Sequence, residues 1–355
     1  MRTTKFQPGT GVVSPSVTEP LSPDWSQSLA SISCVKAAFD TDLWVDLLGA
    51  EAGGFALEDR SFSMAFWRTL QELGLGRIEG VQFLPDRHAI ERLATPENKS
   101  KVEFQAMAAA DMLEHGAFFL SKEGDIPEAS RVFGFFNYAD AESSSPRRRE
   151  RVQAWIRYLA YCSRRENHAL LPEVKLPTSA RVLEIGGNVG LFSAGLLAQN
   201  PTACAVVFDL PGVVAHVPDF LPSEAMSDRL IFHSGDIRFD PLPLVRDEAP
   251  NVIVFKSMLH DWPDELARAF LLEALEHLAK DGALVIVERQ ASSFDELPLS
   301  IANAHNTAFT RFYRHPDWYV EAASGMAQVG RVVQVNIDTG FFILTLNKTQ
   351  EGNGA

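Results

Sequence analysis

Apolar, strand-like runs that alternate with helical stretches after residue 176 limit the fold of this chain more than any other feature. The runs are rich in β-branched residues and read "RVLEIGG", "CAVVFDL", "LIFHSGD", "NVIVFKS" and "ALVIVER". Nearly continuous apolar runs are typical of parallel strands whose two faces are both covered. Helical stretches "LFSAGLLAQ" and "DELARAFLLEALEHLAK" lie between some of them. The pattern predicts an α/β fold with a doubly wound, Rossmann-like sheet over residues 176–350.

The end of this segment departs from the alternation. "RVVQVNIDTGFFILTLNK" contains two strand-like runs joined by "DTG". A short turn of this kind joins strands that pair antiparallel. We therefore predict that the sheet ends in an antiparallel terminal hairpin.

The residues before 176 have mainly helical periodicity. Apolar residues recur at three- and four-residue spacing in "CVKAAFDTDLWVDLL", "SFSMAFWRTLQELGL", "NKSKVEFQAMAAADMLEHGAFFL" and "RRRERVQAWIRYLAYCSRRENHALL". A short β-like pair, "GRIEGVQFLPDRHAIERLA", follows two of these helices, which is typical of a winged-helix-like unit. We predict a flexible leader over residues 1–28 and a mostly helical domain over 29–175, and the acidic total charge favours dimerisation over DNA binding as the use of this unit.

Composition excludes several classes of partner. The formal net charge of −14 would repel a polyanion, so we expect no nucleic acid partner. The longest apolar runs have the length of strands, so we expect no membrane span. The first residues lack the apolar core of a signal peptide, and the three cysteines are far apart, which together predict a cytoplasmic protein without a disulfide framework.

A glycine-rich turn and two aspartates are the first candidates for a ligand site. In "VLEIGGNVGLFSAGLL" Gly186, Gly187 and Gly190 would let the backbone approach a ligand at a helix N-terminus. Asp209 ends the next strand and Asp236 ends the one after it. Because the carboxyl ends of parallel strands meet at one edge, these residues predict a nucleoside pocket in which Asp209 accepts the ribose hydroxyls.

Four motifs carry a resemblance to a known family. "VLEIGGNVG", "VVFDLP", "SGDI" and "FKSMLHDWPDE", in this order and before a terminal hairpin, resemble the plant-type and bacterial S-adenosylmethionine-dependent small-molecule O-methyltransferases, such as hydroxyneurosporene methyltransferases. The resemblance is specific over residues of about 180 to 290, and the helical half matches the order of the family's dimerisation domain. Asn188 replaces a glycine of the family's triplet, and asparagine tolerates a left-handed backbone better than most residues.

The resemblance implies a class I methyltransferase that forms a homodimer through its N-terminal domain, residues 29–175, which would also cover the substrate. It would transfer a methyl group from S-adenosyl-L-methionine, leaving S-adenosyl-L-homocysteine, to a small-molecule acceptor, and residues 176–350 would be the catalytic domain that binds the cofactor. The residues that it assigns to the cofactor are Glu184, Gly186, Gly187, Gly190, Asp209, Leu210, Asp236, Ile237, Lys256 and Trp262.

The run around His260 allows a catalytic and a structural interpretation. By the resemblance His260 matches the general base, Asp261 belongs to the same catalytic group, and Glu288 matches the acidic residue that orients the histidine. An imidazole with a pKa near ~6.5 can take the proton of a hydroxyl group. Alternatively, Asp261 and Asp264 would form the N-cap and first turn of the following helix, with His260 incidental.

The atom that receives the methyl group is left open. The family's second glutamate should follow His305-Asn306, but no glutamate is found there. Hydroxyl O-methylation with His260 as base is favoured. The alternatives are S-methylation of a small thioether carboxylic acid, which needs no base, and C-methylation of a keto acid on a metal held by His260 and His305. Without a compact ligand cluster, we predict no metal.

Candidate substrate residues come from aromatic, polar and basic positions outside these motifs. They are Phe136, Tyr138, His305, Asn306, Arg311 and Arg314. A second basic group, Arg147 to Arg151, would either clamp a carboxylate or form a solvated surface. A more distant alternative is a winged-helix regulator without enzymatic activity that senses a ligand through its α/β domain, and the acidic total charge speaks against it.

Overall fold

The computed structural model describes residues 24–50, 54–58, 62–116, 118, 126–142, 145–221, 228–290, 309–337 and 340–349. His305, Asn306 and most of the predicted leader lie outside these residues. None of the helices in this part of the chain has the length and apolar character needed to cross a membrane.

Among the described residues, the N-terminal unit combines five helices with a small sheet. The helices are α1 (Asp24–Asp40), α2 (Leu43–Gly49), α3 (Met64–Glu72), α4 (Arg87–Leu93) and α5 (Pro96–Glu114). Strands β1 (Phe55–Ala56), β2 (Gly76–Glu79) and β3 (Gln82–Pro85) form an antiparallel sheet in the order β1-β3-β2, which confirms the predicted β pair. The helical stretch predicted from Cys34 onward divides into α1 and α2 because Asp42 adopts a left-handed φ of 53°.

In the part of the chain that the structure describes, two helices connect this unit to the large sheet. The short α6 spans Arg131–Phe135, and the long α7 spans Pro146–Leu170, as its periodicity predicts. Proline at the first position of α7 lacks only an N–H that would have no partner inside the helix. Val152, Trp155 and Ile156 of α7 are buried in one core with the large sheet.

Seven strands form the large sheet, and their order confirms the predicted topology. The strands are β4 (Arg181–Ile185), β5 (Cys204–Asp209), β6 (Leu230–Ser234), β7 (Val252–Lys256), β8 (Ala283–Arg289), β9 (Ala327–Val335) and β10 (Phe341–Lys348). Their spatial order is β6-β5-β4-β7-β8-β10-β9. The first five are parallel, and β10 pairs antiparallel with both β8 and β9, which confirms the terminal hairpin.

Helices cover both faces of this sheet. They are α8 (Leu191–Gln199), α9 (Pro211–Val214), α10 (Val217–Phe220), α11 (Asp264–His277) and α12 (Pro316–Ala322). Alternate strand residues such as Val254 and Val285 face the core beneath α7 and α8, whereas Ile253 and Leu284 face α11 and α12. The domain boundary at residue 175 stays a prediction, because α7 packs on the sheet as well as on α5.

Candidate active site

A large cleft opens where β4, β5, β7 and β8 reach their carboxyl ends, and α7 forms its opposite wall. The strand order changes direction between β4 and β7, and such a switch point leaves a crevice above the sheet. The cleft encloses about 1440 Å³ including its open mouth.

The glycine-rich turn between β4 and α8 forms one wall of the cleft. Gly186 and Gly190 have left-handed φ angles of 67° and 74°. A Cβ atom on Gly186 would approach Met258 Cγ to 2.5 Å, and one on Gly190 would approach Phe232 Cζ to 2.7 Å. Asn188 also adopts a left-handed φ of 54°, and its Oδ1 accepts the N–H of Val189 at 2.7 Å. The turn therefore keeps its left-handed backbone conformation although an asparagine replaces one glycine of the triplet.

Asp209 is held at the end of β5 by backbone groups. Its Oδ2 accepts the N–H of Asn188 at 2.6 Å, and its Oδ1 accepts the N–H of Leu210 at 2.7 Å. Burial raises the pKa of Asp209 to about 6. Because each carboxylate oxygen can accept a further hydrogen bond, the group fits two adjacent ribose hydroxyls. Both Asp209 and Leu210 line the cleft, as the sequence led us to expect.

Glu184 supports the turn from within the sheet. Its Oε2 accepts hydrogen bonds from the Ser193 N–H at 3.1 Å and from Ser193 Oγ at 2.5 Å. Burial raises the pKa of Glu184 to about 7. A Cβ atom on Gly187 would approach Glu184 Cδ to 2.7 Å, so this glycine lets the carboxylate reach α8. Glu184 and Gly187 both line the cleft.

Asp236 forms an ion pair that was not predicted from the sequence. Arg238 donates to Asp236 Oδ1 from both its backbone N–H and its Nε at 2.9 Å. Burial alone would raise the pKa of Asp236, but the hydrogen bonds of Arg238 lower it below its usual value. Arg238 also binds Glu142 at 2.7 Å and lies 5.6 Å from the ring centre of Trp262. Asp236, Ile237 and Trp262 all line the cleft, and Arg238 contacts two of them, Asp236 and Trp262.

His260 lies between two carboxylates. Its Nδ1 is 2.6 Å from Glu288 Oε2, and its Nε2 is 3.3 Å from Asp261 Oδ1. The other oxygen of Glu288 accepts the backbone N–H groups of Met258 at 3.0 Å and Leu259 at 2.9 Å. Glu288 therefore fixes both the imidazole and the loop that carries it, while His260 and Asp261 line the cleft.

The charges around His260 shift its titration. Burial lowers the pKa of His260, but the negative charges of Glu288 and Asp261 outweigh burial and raise the pKa above 6.5. Burial would raise the pKa of Glu288, yet the charge and hydrogen bond of His260 lower it. The positive charge of Arg289 lowers the pKa of His260 to a lesser extent.

Asp261 does not cap the following helix, so that prediction is wrong. It lies in a 3-10 turn over Leu259–Asp261, and α11 begins at Asp264 with Pro263 at its N-cap and no side-chain cap. The turn directs Asp261 toward the cleft instead, where its Oδ2 accepts the hydroxyl of Tyr138 at 2.7 Å. Tyr138 thereby connects the N-terminal half of the chain to the His260 loop.

Three charged side chains meet at the inner end of the cleft, and two of them, Lys256 and Glu166, are buried. Lys256 Nζ donates to Glu166 Oε2 at 2.8 Å, and Arg289 donates to Glu166 Oε1. Glu166 was not predicted, although Tyr158, Cys162 and Glu166 recur at four-residue spacing on one face of α7. That spacing is the sequence signal that could have placed them together in the cleft wall.

Aromatic side chains form much of the remaining wall. Phe136 and Tyr138, both predicted, line the cleft together with Phe104, Trp155, Tyr158, Phe309 and Tyr313. Two buried polar atoms of the lining, Trp155 Nε1 and Ser257 Oγ, have no hydrogen-bond partner among the described residues. Buried polar groups are usually paired, so these two atoms are suited to a ligand.

Arg311 and Arg314 were predicted to contact the substrate, but the structure does not bring them into the cleft wall. Arg314 donates to the carbonyl oxygens of Leu259 at 2.8 Å and of Trp262, and to Asp264 at 2.7 Å. It therefore holds the His260 loop from outside. Arg311 donates to the carbonyl oxygen of Phe118 at 2.8 Å, over whose ring it lies.

Of the second basic group, Arg148, Arg149 and Arg151 also lie outside the cleft wall. Arg151 pairs with Asp140 at 2.8 Å, Arg148 donates to the carbonyl oxygen of Ala139, and Arg149 donates to that of Ala215. These contacts favour the interpretation that the arginines form a solvated surface.

Among the residues that the structure describes, no group of three or more histidine, cysteine, aspartate and glutamate side chains could hold a metal ion, and His305 is not among the described residues.

Comparison with known proteins identifies the family. A family model described as an O-methyltransferase domain matches residues 122–302, just over half of the chain. The chain therefore belongs to the O-methyltransferase domain family. The match includes α7, the glycine-rich turn, Asp209 and the His260 loop.

Individual relatives agree with this assignment. Myricetin 3-O-methyltransferase 3 of Solanum habrochaites is 28% identical over 35% of this chain and 30% of its own length. The 4-O-methyltransferase 1 of Phanerochaete chrysosporium is 29% identical over 51% of this chain and 42% of its own length. The chain thus spans less than half of the length of these curated relatives.

Solved structures show the same fold over nearly the whole chain. Human N-acetylserotonin methyltransferase, solved in complex with S-adenosylmethionine (SAM), superposes with a TM-score of 0.68 at 16% identity, covering 92% of this chain and 96% of the human one. At this identity the likeness concerns the fold, and it extends beyond the matched domain into the helical N-terminal unit.

Proposed function

We propose that this chain transfers the methyl group of S-adenosylmethionine to a hydroxyl oxygen of a small-molecule acceptor, with His260 as the general base. The position of His260 carries the proposal. Glu288 binds its Nδ1, and the imidazole lines the same cleft as the glycine-rich turn, Asp209 and the aromatic side chains. The membership in an O-methyltransferase family supports oxygen as the acceptor atom.

The residues of the cleft fit S-adenosylmethionine. The carboxylate of Asp209 has acceptor capacity for two ribose hydroxyls, and the left-handed turn at Gly186 leaves its backbone close to the cleft. Ile237 and Trp262 offer apolar surface to an adenine ring. Ser257 Oγ offers a buried hydrogen-bonding group near the end of β7. S-adenosylmethionine, when bound, supplies an electrophilic methyl group on a sulfonium ion.

The protein's own contribution is to orient the acceptor and to accept its proton. Glu288 accepts the Nδ1–H of neutral His260, which leaves the lone pair of Nε2 for the acceptor's hydroxyl proton. When that proton reaches His260, the negative charges of Glu288 and Asp261 stabilise the imidazolium, and the same charges raise the pKa of His260. The aromatic wall excludes water and positions the acceptor for in-line attack.

The replacement of His260 by alanine tests this proposal. We expect His260→Ala to bind S-adenosylhomocysteine nearly as well as the wild type, and to lose about 100-fold or more of its turnover, because general base catalysis contributes roughly that factor. His88→Ala, at an exposed position of α4, is the matched control. The assay follows the labelled methyl group of S-adenosylmethionine into phenols, small hydroxy acids and thioether acids.

Each outcome of this assay selects one reaction. Transfer to phenols or other hydroxyl compounds that depends on His260 supports the proposal. Transfer only to thioether acids, with a loss of a few-fold in His260→Ala, would instead indicate S-methylation without a base. Inhibition by a chelator would indicate the metal-assisted alternative.

We also propose that the chain forms a homodimer through its N-terminal half. Several large apolar side chains are exposed there, namely Val45, Met64, Leu73 and Val81. Exposed apolar groups of this kind favour protein contacts. The mass in solution, measured by light scattering, tests the dimer, and Val45→Glu combined with Val81→Glu should give a monomer. A cytoplasmic location stays a prediction.

A further inference from the structure

Two carboxylates and two aromatic rings hold the side chain of Arg238 at the wall of the cleft. Its Nε donates to Asp236 Oδ1 at 2.9 Å, and its Nη2 donates to Asp236 Oδ2 and, at 2.7 Å, to Glu142 Oε1. The guanidinium carbon lies 5.0 Å from the ring centre of Phe239 and 5.6 Å from that of Trp262. The position of the guanidinium group is therefore fixed from several directions.

Both partners of the Asp236–Arg238 ion pair are charged near neutral pH. Burial would raise the pKa of Asp236, but the hydrogen bonds of Arg238 lower it. The hydrogen bonds to Asp236 and Glu142 raise the pKa of Arg238. The side chain of Arg238 is 27% exposed and that of Asp236 is 13% exposed. A charged donor thus forms part of the cleft surface.

One nitrogen of Arg238 keeps its hydrogen-bonding capacity. Each of the guanidinium nitrogens carries N–H donors. Nε binds Asp236, and Nη2 binds Asp236 and Glu142. Nη1 has no hydrogen-bond partner among the residues that the structure describes. A ligand in the cleft can therefore accept a hydrogen bond from Nη1 without displacing either carboxylate.

The strand order places Arg238 close to the adenine of a nucleoside whose ribose binds Asp209. β6 lies next to β5, and Gly235, which follows β6, donates its N–H to the carbonyl oxygen of Asp209 at 2.9 Å. Arg238 comes three residues later, beside the ring of Trp262 that offers apolar surface to an adenine. The ring nitrogens N1, N3 and N7 of adenine are hydrogen-bond acceptors. Adenine thus has the groups that match the remaining donor of Arg238.

We propose that Arg238 donates a hydrogen bond from Nη1 to a ring nitrogen of the cofactor's adenine and thereby determines the orientation of the adenine in the cleft. The inference rests on the proposed function, since it specifies how the cofactor of that reaction is recognised. The contacts to Asp236, Glu142, Phe239 and Trp262 suit this role, because a side chain that is already held loses little freedom when a ligand binds. A charged donor also gives a stronger hydrogen bond than a neutral one.

Analogues of S-adenosylhomocysteine that lack one ring nitrogen test this contact. In the 1-deaza, 3-deaza and 7-deaza compounds a C–H group replaces one acceptor nitrogen of the adenine, and the rest of the ligand is unchanged. The affinity of each compound is measured by calorimetry with the full chain. The measurement depends neither on turnover nor on the identity of the methyl acceptor.

Three variants accompany the wild type. Arg238→Met removes all the donors, and Arg238→Lys keeps a charge for Asp236 but has no second nitrogen for the adenine. Arg77→Met is the matched control, because Arg77 also pairs with a carboxylate two residues away, Glu79 at 2.6 Å, and is 69% exposed in the N-terminal unit. Thermal unfolding shows whether each variant is folded, and Arg238→Lys is used for the test if Arg238→Met does not fold.

We expect the wild type to bind one of the three analogues about tenfold or more weakly than S-adenosylhomocysteine, since the loss of a hydrogen bond to a charged group has about that effect. Arg77→Met should show the same difference. In Arg238→Met and Arg238→Lys the difference should disappear, because S-adenosylhomocysteine itself binds more weakly while the affinity for that analogue stays nearly the same.

Two results would overturn the inference and leave the proposed function intact. If all three analogues bind to the wild type as tightly as S-adenosylhomocysteine, no ring nitrogen receives a hydrogen bond from Arg238. If the difference persists in both variants of Arg238, another donor, such as a backbone N–H, contacts the adenine. If S-adenosylhomocysteine does not bind to the wild type at all, the proposed function fails together with the inference.

Discussion

Replacing Glu288 by glutamine tests the central contact of the candidate active site. The carboxylate receives three hydrogen bonds, one from His260 and two from the backbone of Met258 and Leu259. A glutamine oxygen can still accept from the backbone, but the charge is lost and its amide group cannot accept the Nδ1–H of His260. Because Glu288 is 1% exposed, solvent cannot replace the lost interaction.

The magnitude follows from the burial of this pair. Breaking a buried ion pair lowers the free energy of unfolding by about 3–5 kcal/mol, and the retained backbone bonds reduce this to about 3 kcal/mol. A loss of that size lowers the melting temperature by roughly 6–10 °C. The matched control is Glu91→Gln at an exposed position of α4, which should change the melting temperature by less than about 1 °C.

The pH dependence of this loss is the more specific observation. The pKa of Glu288 is lowered on folding, so its stabilising effect is present above 4.5 and is lost as the pH falls through the folded value. The pKa of His260 is raised, so the effect is present below 6.5 and is lost as the pH rises through the folded value. The difference in melting temperature between wild type and Glu288→Gln should therefore be largest between pH 4.5 and 6.5.

Kinetics provide an independent measurement of the same contact. Without the negative charge of Glu288 the pKa of His260 falls, so the rise of kcat/KM with pH should move to lower pH. The plateau itself should decrease about 100-fold, because the imidazole loses the group that fixes its tautomer. A pH profile that keeps its midpoint, together with a stability loss that is the same at every pH, would refute a charged role for Glu288.

Two further substitutions address the cofactor wall and the predicted substrate arginine. Asp209→Asn exchanges one acceptor oxygen for a donor, so calorimetry should show a loss of about 10- to 100-fold in the affinity for S-adenosylhomocysteine, whereas an unchanged affinity would exclude the ribose contact. Arg314→Met should lower the melting temperature, since it removes hydrogen bonds to the carbonyl oxygens of Leu259 and Trp262, and should leave the acceptor's KM within about twofold. A selective rise in KM without loss of stability would restore Arg314 as a substrate contact.

Much of the fold was predictable because its signals are local. The β-branched runs that became β4 to β8 and the "DTG" turn before β10 are patterns of neighbouring residues. The glycine-rich turn was predictable for the same reason, since left-handed φ angles at Gly186 and Gly190 depend on the residue itself. These predictions required only the spacing of apolar residues along the sequence and the backbone angles that each residue type permits.

The prediction that Asp261 caps the following helix was wrong because the local sequence allows two structures. An aspartate before a helix usually caps it, and the sequence "HDWPDE" offers more than one aspartate. The 3-10 turn at Leu259 and Pro263 at the N-cap direct Asp261 into the cleft instead, where Tyr138 binds it. Tyr138 is 123 residues away from Asp261 in the chain. No short sequence window therefore contains the contact that places Asp261 in the cleft and not at the helix N-cap.

By itself the sequence determined the α/β class, the doubly wound sheet with its antiparallel terminal hairpin, the turn at Gly186 and the presence of a histidine at the end of the fourth parallel strand. Only the tertiary structure brought Glu166 to Lys256 and Arg289, across separations of 90 and 123 residues. It also turned Arg314 outward to support the His260 loop. The physical reason is that periodicity fixes which face of a helix or strand is buried, whereas the partner on the opposing element depends on how α7 packs across the sheet, and ion pairs leave no periodic signal in either segment.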